Sequence, residues 1–407
     1  MTKRVAFIAN DFPTLNVAGH LSYNYEIILF LAQHGFPVDV IVLRPRPWRA
    51  WFRLPGFDDL PVRIRARGVL IRTDWGLMVR PRDVMHFLAA RAILRLRAAL
   101  PFESHRNRTA RAVLGRFISR EEYQYAKSVL VRLRPEILFI DTIFLAPILK
   151  ERFGDCRTFI VTHDLFCQRA ESLRLHGFAV EPMIDREGEA ALLSKSDVVV
   201  AIQDEEKRLI QSMVPSKPVL TVGHPVRPAR AGAGQRVPGR CLFVGSMGPH
   251  NIDGLRWLLR EVWPIVVEQR PQAELHVYGG VCEVITQPGP KVVQHGWTPD
   301  LKEAYLSSSI ALVPLRAGSG LKIKLVHYLA HGLPCVVTPM GAQGFGAPLG
   351  RPFLIADGAA DFARAICGLL RDGALRSALS ERAYRYCERL SPAHVFRELK
   401  AEILAEA

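Results

Sequence analysis

Short apolar runs alternate with helical patterns through most of this chain, many of the runs followed by a loop carrying glycine, asparagine or aspartate. This rhythm constrains the fold more than any other feature. Strands joined by helical crossovers pair in parallel, and a parallel sheet needs helices on both faces. In the first half the runs are Val5 to Ala9, Val38 to Leu43, Ile137 to Ile140, Phe159 to Thr162, Val198 to Ile202 and Val219 to Val222. In the second they are Cys241 to Val244, Glu274 to Tyr278, Val292 to Gln294, Ile310 to Val313, Cys335 to Thr338 and Phe353 to Ile355. Between the two sets, GHPVRPARAGAGQRVPG (223–239) lacks apolar periodicity and reads as a linker. The expectation is two tandem doubly wound α/β domains over 1–222 and 240–390, with a C-terminal helix over 391–407 packing back on the first. Ligands of such sheets bind beyond the carboxyl ends of the strands, so a cleft between the domains is the first place to look.

Composition agrees with a globular chain: 407 residues, 49% hydrophobic and 23% charged. The seven cysteines form no CxxC pair and read as free thiols of a reducing compartment. The opening MTKRVAFIAN has too short an apolar run for a signal peptide, and no window suits a spanning helix. The net charge of +15 is concentrated. Between Arg44 and Arg120 eighteen arginines and no lysine face five acids, an excess of +13. Such a stretch asks for a polyanion, either nucleic acid or an anionic lipid surface. It fits no clean sheet pattern and reads as an insertion with helices, for instance Val84 to Leu100.

The stretch VPLRAGSGLKIKLVHYLAHGLPCVVTP, from Val313 to Pro339, carries the sharpest chemical signal. A strand ends at Val313, a turn follows, and Leu321, Leu325, Tyr328 and Leu329 recur at helical spacing until Gly332. Lys322 and Lys324 in the opening turns meet the partial positive charge of a helix start, at a cost of roughly 0.3–1 kcal/mol each unless an anion is present. Gly318 and Gly320 let backbone approach that anion, as phosphate sites require, and Arg316 adds a further cation. No Ser or Thr follows a Gly-Lys pair, so this is not a Walker A loop. The bland alternative is a glycine turn with solvated lysines. A second glycine loop, CLFVGSMGPHNIDGLRWLL, places Gly245 and Gly248 before a helix that Asn251 caps, or is a plain strand-to-helix turn. A third has Gly19 ahead of an amphipathic helix ended by Gly35. In RTFIVTHDLFCQR, His163 and Asp164 follow an apolar strand, where a sheet presents catalytic groups; a capping Asp beside a packed His is the alternative.

Together these stretches resemble the retaining glycosyltransferases of family four, which have two Rossmann-like domains facing across a cleft in the GT-B arrangement. Gly19 lies where that family has its N-terminal glycine loop, and His163 where it has a cleft histidine. FVGSMGPHNIDGLRWL looks like the family's opening of the second domain, and VPLRAGSGLKIKLVHYLAHGLPCVVTPMGAQGF like its donor-binding signature. There are two departures. His327 stands where the family usually has a glutamate on the donor ribose, and GSMGPHN lacks the arginine and lysine that many members place on the diphosphate. A neutral histidine offers one acceptor where a carboxylate offers two. More of the phosphate duty then falls on Lys322 and Lys324.

The resemblance implies transfer of a sugar, with retained configuration, from a nucleotide diphosphate sugar to a hydroxyl of a surface-glycan or lipid-linked precursor. It implies no protein nucleophile, since the leaving phosphate helps to deprotonate the acceptor. His163 and Asp164 would contact the transferred sugar, and His327 the ribose. His295 and Gly296 would meet the base, with Gly245, His250, Asn251, Arg316, Gly318, Ser319, Gly320 and Leu321 around the rest of the donor. No DxD motif is present, which agrees with metal independence, and no cofactor is expected beyond the donor. The arginine-rich stretch would attach the enzyme to the cytoplasmic membrane face through an anionic surface, with Trp48, Trp51, Phe52 and Phe57 at the interface. Three other readings compete. They are a sugar-nucleotide epimerase or hydrolase of the same fold, a degenerate nucleotide-binding protein, and a nucleic-acid protein, for which the stretch offers no recognisable module.

Overall fold

The computed structural model describes residues 3–15, 19–45, 51–52, 57, 59–67, 69–73, 76–79, 85, 89, 111–232, 234–286, 288–346 and 350–404. Two compact units emerge. The first comprises Met1–His163, Ile184–Ala201 and Arg208–Leu220. The second comprises Asp164–Met183, Ile202–Lys207 and Thr221–Ala407. Segments 164–183 and 202–207, which precede the expected linker, thus group with the second unit.

The first sheet contains β1 (Val5–Ala9), β2 (Val38–Val42), β3 (Val62–Ala66), β4 (Ile137–Asp141), β5 (Arg157–Val161), β6 (Val198–Ala201) and β7 (Val219–Thr221). Its order is β7-β6-β5-β4-β1-β2-β3. The pairs β1·β2, β2·β3, β1·β4, β4·β5 and β5·β6 are parallel. Strands β1, β2 and β4 are buried along their whole length, which is why they read as apolar runs, interrupted only by Asp39 in β2 and ended by Asp141 in β4. Helix α1 (Gly19–Gln33) follows β1, and Gly35 turns the chain back with φ of 84°. Helix α2 (Arg120–Leu133) starts in a full capping box between Ser119 and Glu122.

The insertion differs from expectation. Val62–Ala66 is a strand of the main sheet, with Val62 opposite Val38, and Trp51–Phe52, Val69–Thr73 and Gly76–Val79 form an antiparallel sheet. Alternating Val, Arg, Ile and Arg suits an edge strand, and Arg65 ion-pairs with Asp39 of β2 at 2.8 Å. Of the helix expected over Val84 to Leu100 only positions 85 and 89 are described, both helical. Trp48 and the side chains of Trp51 and Phe52 lie outside the described residues, while Phe57 is buried against Tyr25. Among the described residues, four arginines of the segment are held by acids beyond it. Arg44 and Arg116 both meet Glu122, Arg67 meets Glu121, and Arg65 meets Asp39.

The second sheet contains β8 (Arg240–Val244), β9 (Glu274–Tyr278), β10 (Val292–Gly296), β11 (Ile310–Val313), β12 (Cys335–Val337) and β13 (Phe353–Ile355), in the order β10-β9-β8-β11-β12-β13. All five pairings are parallel. One apolar cluster, around Phe243, Trp263 and Phe362, fills one side, and another, around Leu325, Tyr328 and Phe353, fills the other. The segment read as a linker is hydrogen-bonded along this unit, with Val226 N–H donating to Leu390 O, Ala229 N–H to Ala330 O and Val237 N–H to Ser307 O. Near the C-terminus, Glu398 accepts from Lys207 Nζ at 2.8 Å and Thr221 N at 2.9 Å. All seven cysteines are free thiols. Among the described residues no helix is long and apolar enough to cross a membrane.

Candidate functional site

In the second sheet the strand order reverses direction between β8 and β11, the position at which doubly wound sheets open for a ligand. Glycines bring the strand ends close. Gly245 N–H donates to Tyr278 O, Val281 N–H donates to Gly245 O, and Gly279 N–H donates to Gly296 O at 2.7 Å. A Cβ on Gly279 would lie 2.3 Å from Gly245 O, so only glycine fits there. Gly245 and Gly296 are among the expected donor residues, whereas Gly279 is marked in the sequence only by the Gly-Gly pair directly after β9. Beside them the exposed His295 ring lies flat on Tyr278, with centroids 4.0 Å apart, and its Nε2 is 2.9 Å from His276 Nδ1.

Helix α3 (Phe166–Leu175) also belongs to this unit and meets the turn after β11. Gly318 N–H donates to Ser172 Oγ at 3.0 Å, and Ser319 Oγ donates to Asp164 Oδ1. Arg169 reaches the other oxygen of Asp164 at 3.2 Å. Gly318 and Gly320 adopt φ of 122° and 75°, which suit glycine. Arg316 forms a two-pronged pair with Asp253, at 3.0 and 2.6 Å, so its charge is already answered within the protein.

The two lysines behave differently. Helix α4 (Pro249–Trp257) follows β8, and helix α5 (Ile323–Ala330) begins after Lys322, which is buried. Lys322 Nζ donates to Ser319 O, Gly320 O and Gln343 Oε1, which occupies its three N–H groups and staples the glycine turn. Lys324 Nζ lies 4.6 Å above the Phe243 ring and donates to Asn251 Oδ1 at 2.6 Å. Asn251 does not cap α4, as its position had suggested. Gly248 is the cap and Pro249 the first helical residue, while the Asn251 amide nitrogen donates to Ser246. Asn251 is the third helical residue, past the cap position, and its side chain instead bridges the two glycine loops. Burial, and then Lys322, draws the Lys324 ammonium down to about 7. Burial draws Lys322 to about 8, with Asp164 and Glu206 opposing.

His250 packs against Gly248, and its Nδ1 is buried with no partner among the described residues. Burial holds its imidazole neutral, reinforced by the charges of Arg169, Lys324 and Lys322. Cations therefore converge around this ring from α3 and α5. Leu321 and Gln203 border Gly344, and both polar atoms of the buried Gln203 side chain lack partners among the described residues. His327 lies further along α5, half-buried, edge-on to His224 at 5.2 Å and parallel to Tyr305. Burial and His331 hold it at about 4, so it is neutral near pH 7.

The first sheet reverses between β1 and β4. Asn10 follows β1 and Asp141 ends β4 there. Asp141 is fully buried; His163 Nε2 sits 2.5 Å from its Oδ1, and Asn10 donates twice to its Oδ2. Burial alone would raise this carboxyl, yet His163, His20 and Asn10 hold it far below the usual range. Arg44 extends the chain by donating to Asn10 Oδ1 at 2.8 Å and to both oxygens of Glu122. His163 Nδ1 is buried without a partner among the described residues, and Tyr23 and His20 pack edge-on against the ring. Gly19 starts α1, with positions 16–18 before it outside the described residues. Thus His163 belongs to the Asp141 cluster, whereas its neighbour Asp164 belongs to the glycine turn of the second unit. Among the described residues no cluster of His, Cys, Asp or Glu could hold a metal ion.

Residues 238–372 match the family model of the glycosyl transferases group 1. The matched span holds every strand of the second sheet together with Lys322 and Lys324. A 44.6 kDa protein encoded in the cps region of Klebsiella pneumoniae is 27% identical over 137 residues, which cover 31% of this chain and 35% of that protein. Among solved structures, sucrose-phosphate synthase from Thermosynechococcus elongatus superposes with a TM-score of 0.68 over the whole of both chains, at 16% identity. TarM superposes at 0.67 over 99% of both, at 9% identity. A mutant of the S. aureus TarM, solved with fondaparinux, alpha-GlcNAc-glycerol and UDP, superposes at 0.57 over 70% of this chain and 59% of its own, at 14% identity. At such identities the likeness fixes the fold, two doubly wound domains of the GT-B class.

Proposed function

We propose that this protein is a group 1 glycosyltransferase of family four that moves a sugar from a nucleotide diphosphate sugar to a hydroxyl of a surface-polysaccharide or lipid-linked precursor, retaining its configuration. The carrying observation is the glycine turn itself: Ser172 and Asp164 meet Gly318 and Ser319, and Arg169, Lys322 and Lys324 are anchored on or beside that turn, with His250 next to Gly318. Such a set of cations is costly unless an anion completes it, and a departing diphosphate is the anion this chemistry creates. The UDP bound by the TarM relative makes UDP the first nucleotide to try. Lys324 meets the diphosphate while Lys322 holds the turn, and the His295–Tyr278 platform takes the base. His327 faces the ribose and His163 the transferred sugar. Neither metal nor further cofactor takes part. A thermal-shift screen against UDP, GDP, ADP and their sugars tests the donor, since a ligand stabilises the native state by mass action. Absence of any shift would sink the reading, and the anomeric configuration of the product, read by NMR, tests retention.

The Lys324 geometry gives a pH dependence. Above about pH 7 its ammonium loses its proton in the free protein, and a diphosphate alongside restores it, so binding takes up a proton. Affinity for the diphosphate is expected to fall about tenfold between roughly pH 7.5 and 9, where the nucleotide's own charge is constant. Calorimetry at several pH values measures this, and Lys324→Arg should flatten the profile because arginine stays charged. A flat profile for the unaltered protein would remove Lys324 from the diphosphate.

The arginine-rich stretch supports a peripheral place on the cytoplasmic membrane face, where a lipid-carried acceptor is presented, rather than a nucleic-acid partner. Among the described residues Arg44, Arg65, Arg67 and Arg116 are paired within the protein, which lowers what those four offer to a surface. Each engaged cation contributes about 1 kcal/mol at such a surface. Co-sedimentation is expected to require anionic vesicles, to fall steeply with salt, and to weaken when Trp48 and Trp51 become alanine. Indifference to lipid charge would end the idea.

A further inference from the structure

We infer that Arg169, on the helix after β5, supplies the guanidinium that meets the donor diphosphate, in place of the basic pair absent from the GSMGPHN loop. This rests on the donor reading above and names a residue that the glycine-loop signature does not contain. Three contacts tie α3 to the glycine turn. Ser172 Oγ accepts from Gly318 N–H at 3.0 Å, Asp164 Oδ1 accepts from Ser319 Oγ, and Asp164 Oδ2 accepts from Arg169 Nη1 at 3.2 Å. Ser172 lies one turn beyond Arg169 on the same helix face, so the guanidinium stands over the loop whose backbone N–H groups would cradle phosphate.

The guanidinium is incompletely used. Its Nε is buried with no partner among the described residues, and it meets Asp164 through a single Nη1 bond, although a guanidinium can clamp two oxygens at once. Its charge also acts on His250 and Lys322, which border the same glycine turn. Asp164 is already shared with Ser319, so it cannot satisfy the arginine fully. A diphosphate entering at Gly318 would take the N–H now given to Ser172 and offer Arg169 the paired oxygens it lacks. Arg316, by contrast, is bound on both prongs by Asp253 and has little left to give.

The test uses the full chain, with calorimetry of whichever of UDP, GDP or ADP gives the largest thermal shift and of its monophosphate. Arg169→Ala is expected to weaken the diphosphate about tenfold or more and the monophosphate less than about threefold. Arg169→Gln, which keeps a hydrogen bond to Asp164 without the charge, should do the same and serves if the alanine variant loses its thermal transition. Asp164→Asn combined with Arg169→Ala should remain as weak as Arg169→Ala alone. Recovery in that double variant would mean that the arginine only neutralises Asp164, and would overturn the assignment. Unchanged affinity in Arg169→Ala would also overturn it while leaving the donor reading intact. Failure of the unaltered protein to bind any of the three nucleotides would overturn both.

Discussion

Replacing His163 by alanine is expected to lower kcat on the order of 100-fold while leaving nucleotide affinity within about threefold, the pattern of a group that acts mainly in the transition state. The geometry behind this is specific. Asp141 is fully buried and kept ionised by His163 and Asn10, and it takes His163 through Nε2. A buried carboxylate in that position favours a proton on Nε2, which leaves Nδ1 as the working nitrogen. That nitrogen is the one without a partner among the described residues. Tyr23 and His20 restrict the ring from the sides, so its orientation is set before any substrate arrives. Asp141→Asn should lower kcat as well, because the amide can present an N–H to Nε2 and reverse the tautomer. Steady-state rates with calorimetry of the same variants decide the matter. Normal turnover in His163→Ala would take the Asp141 cluster out of the reaction.

The parts of the fold that were legible in the sequence are those fixed by local pattern. Buried parallel strands such as Val5–Ala9 and Ile310–Val313 read as unbroken apolar runs because both of their faces are covered. Val62–Ala66 escaped notice because an edge strand can alternate arginine with valine and isoleucine, and in a segment so rich in arginine the composition hid the alternation. The glycine turn was legible for a different reason, since Gly318 and Gly320 adopt backbone angles that few other residues accept. Arg169 and Ser172 were not. Their meaning comes from contacts that span about 150 residues of sequence, such as Ser172 with Gly318 and Asp164 with Ser319, and no local spacing encodes such pairs. For the same reason His163 and Asp164, adjacent in sequence, could not be assigned to different clusters until the strand end at Asp141 and the turn at Ser319 were both in place.

Gly279→Ala is expected to cost the second unit about 3 kcal/mol or more, the sum of two separable penalties. The first is conformational. Gly279 has φ of 97°, where a side chain strains the backbone whatever its surroundings. The second is a collision, because the new methyl would sit 2.3 Å from the carbonyl oxygen of Gly245. That oxygen belongs to the backbone and accepts from Val281 N–H, so no change of rotamer can move it aside. Gly296 separates the penalties. It has φ of 70° and nothing within 4 Å of its notional Cβ, so Gly296→Ala should carry the conformational cost alone, about 1 kcal/mol. Chemical denaturation followed through the tryptophans measures both variants. Because relief of the collision would require the Gly245 loop to swing away from β9, Gly279→Ala should also weaken nucleotide binding, whereas Gly296→Ala should do so far less. Equal losses of stability in the two variants would show that the loop yields freely, and the close approach of β8 and β9 would then not be what holds the glycine loop in place.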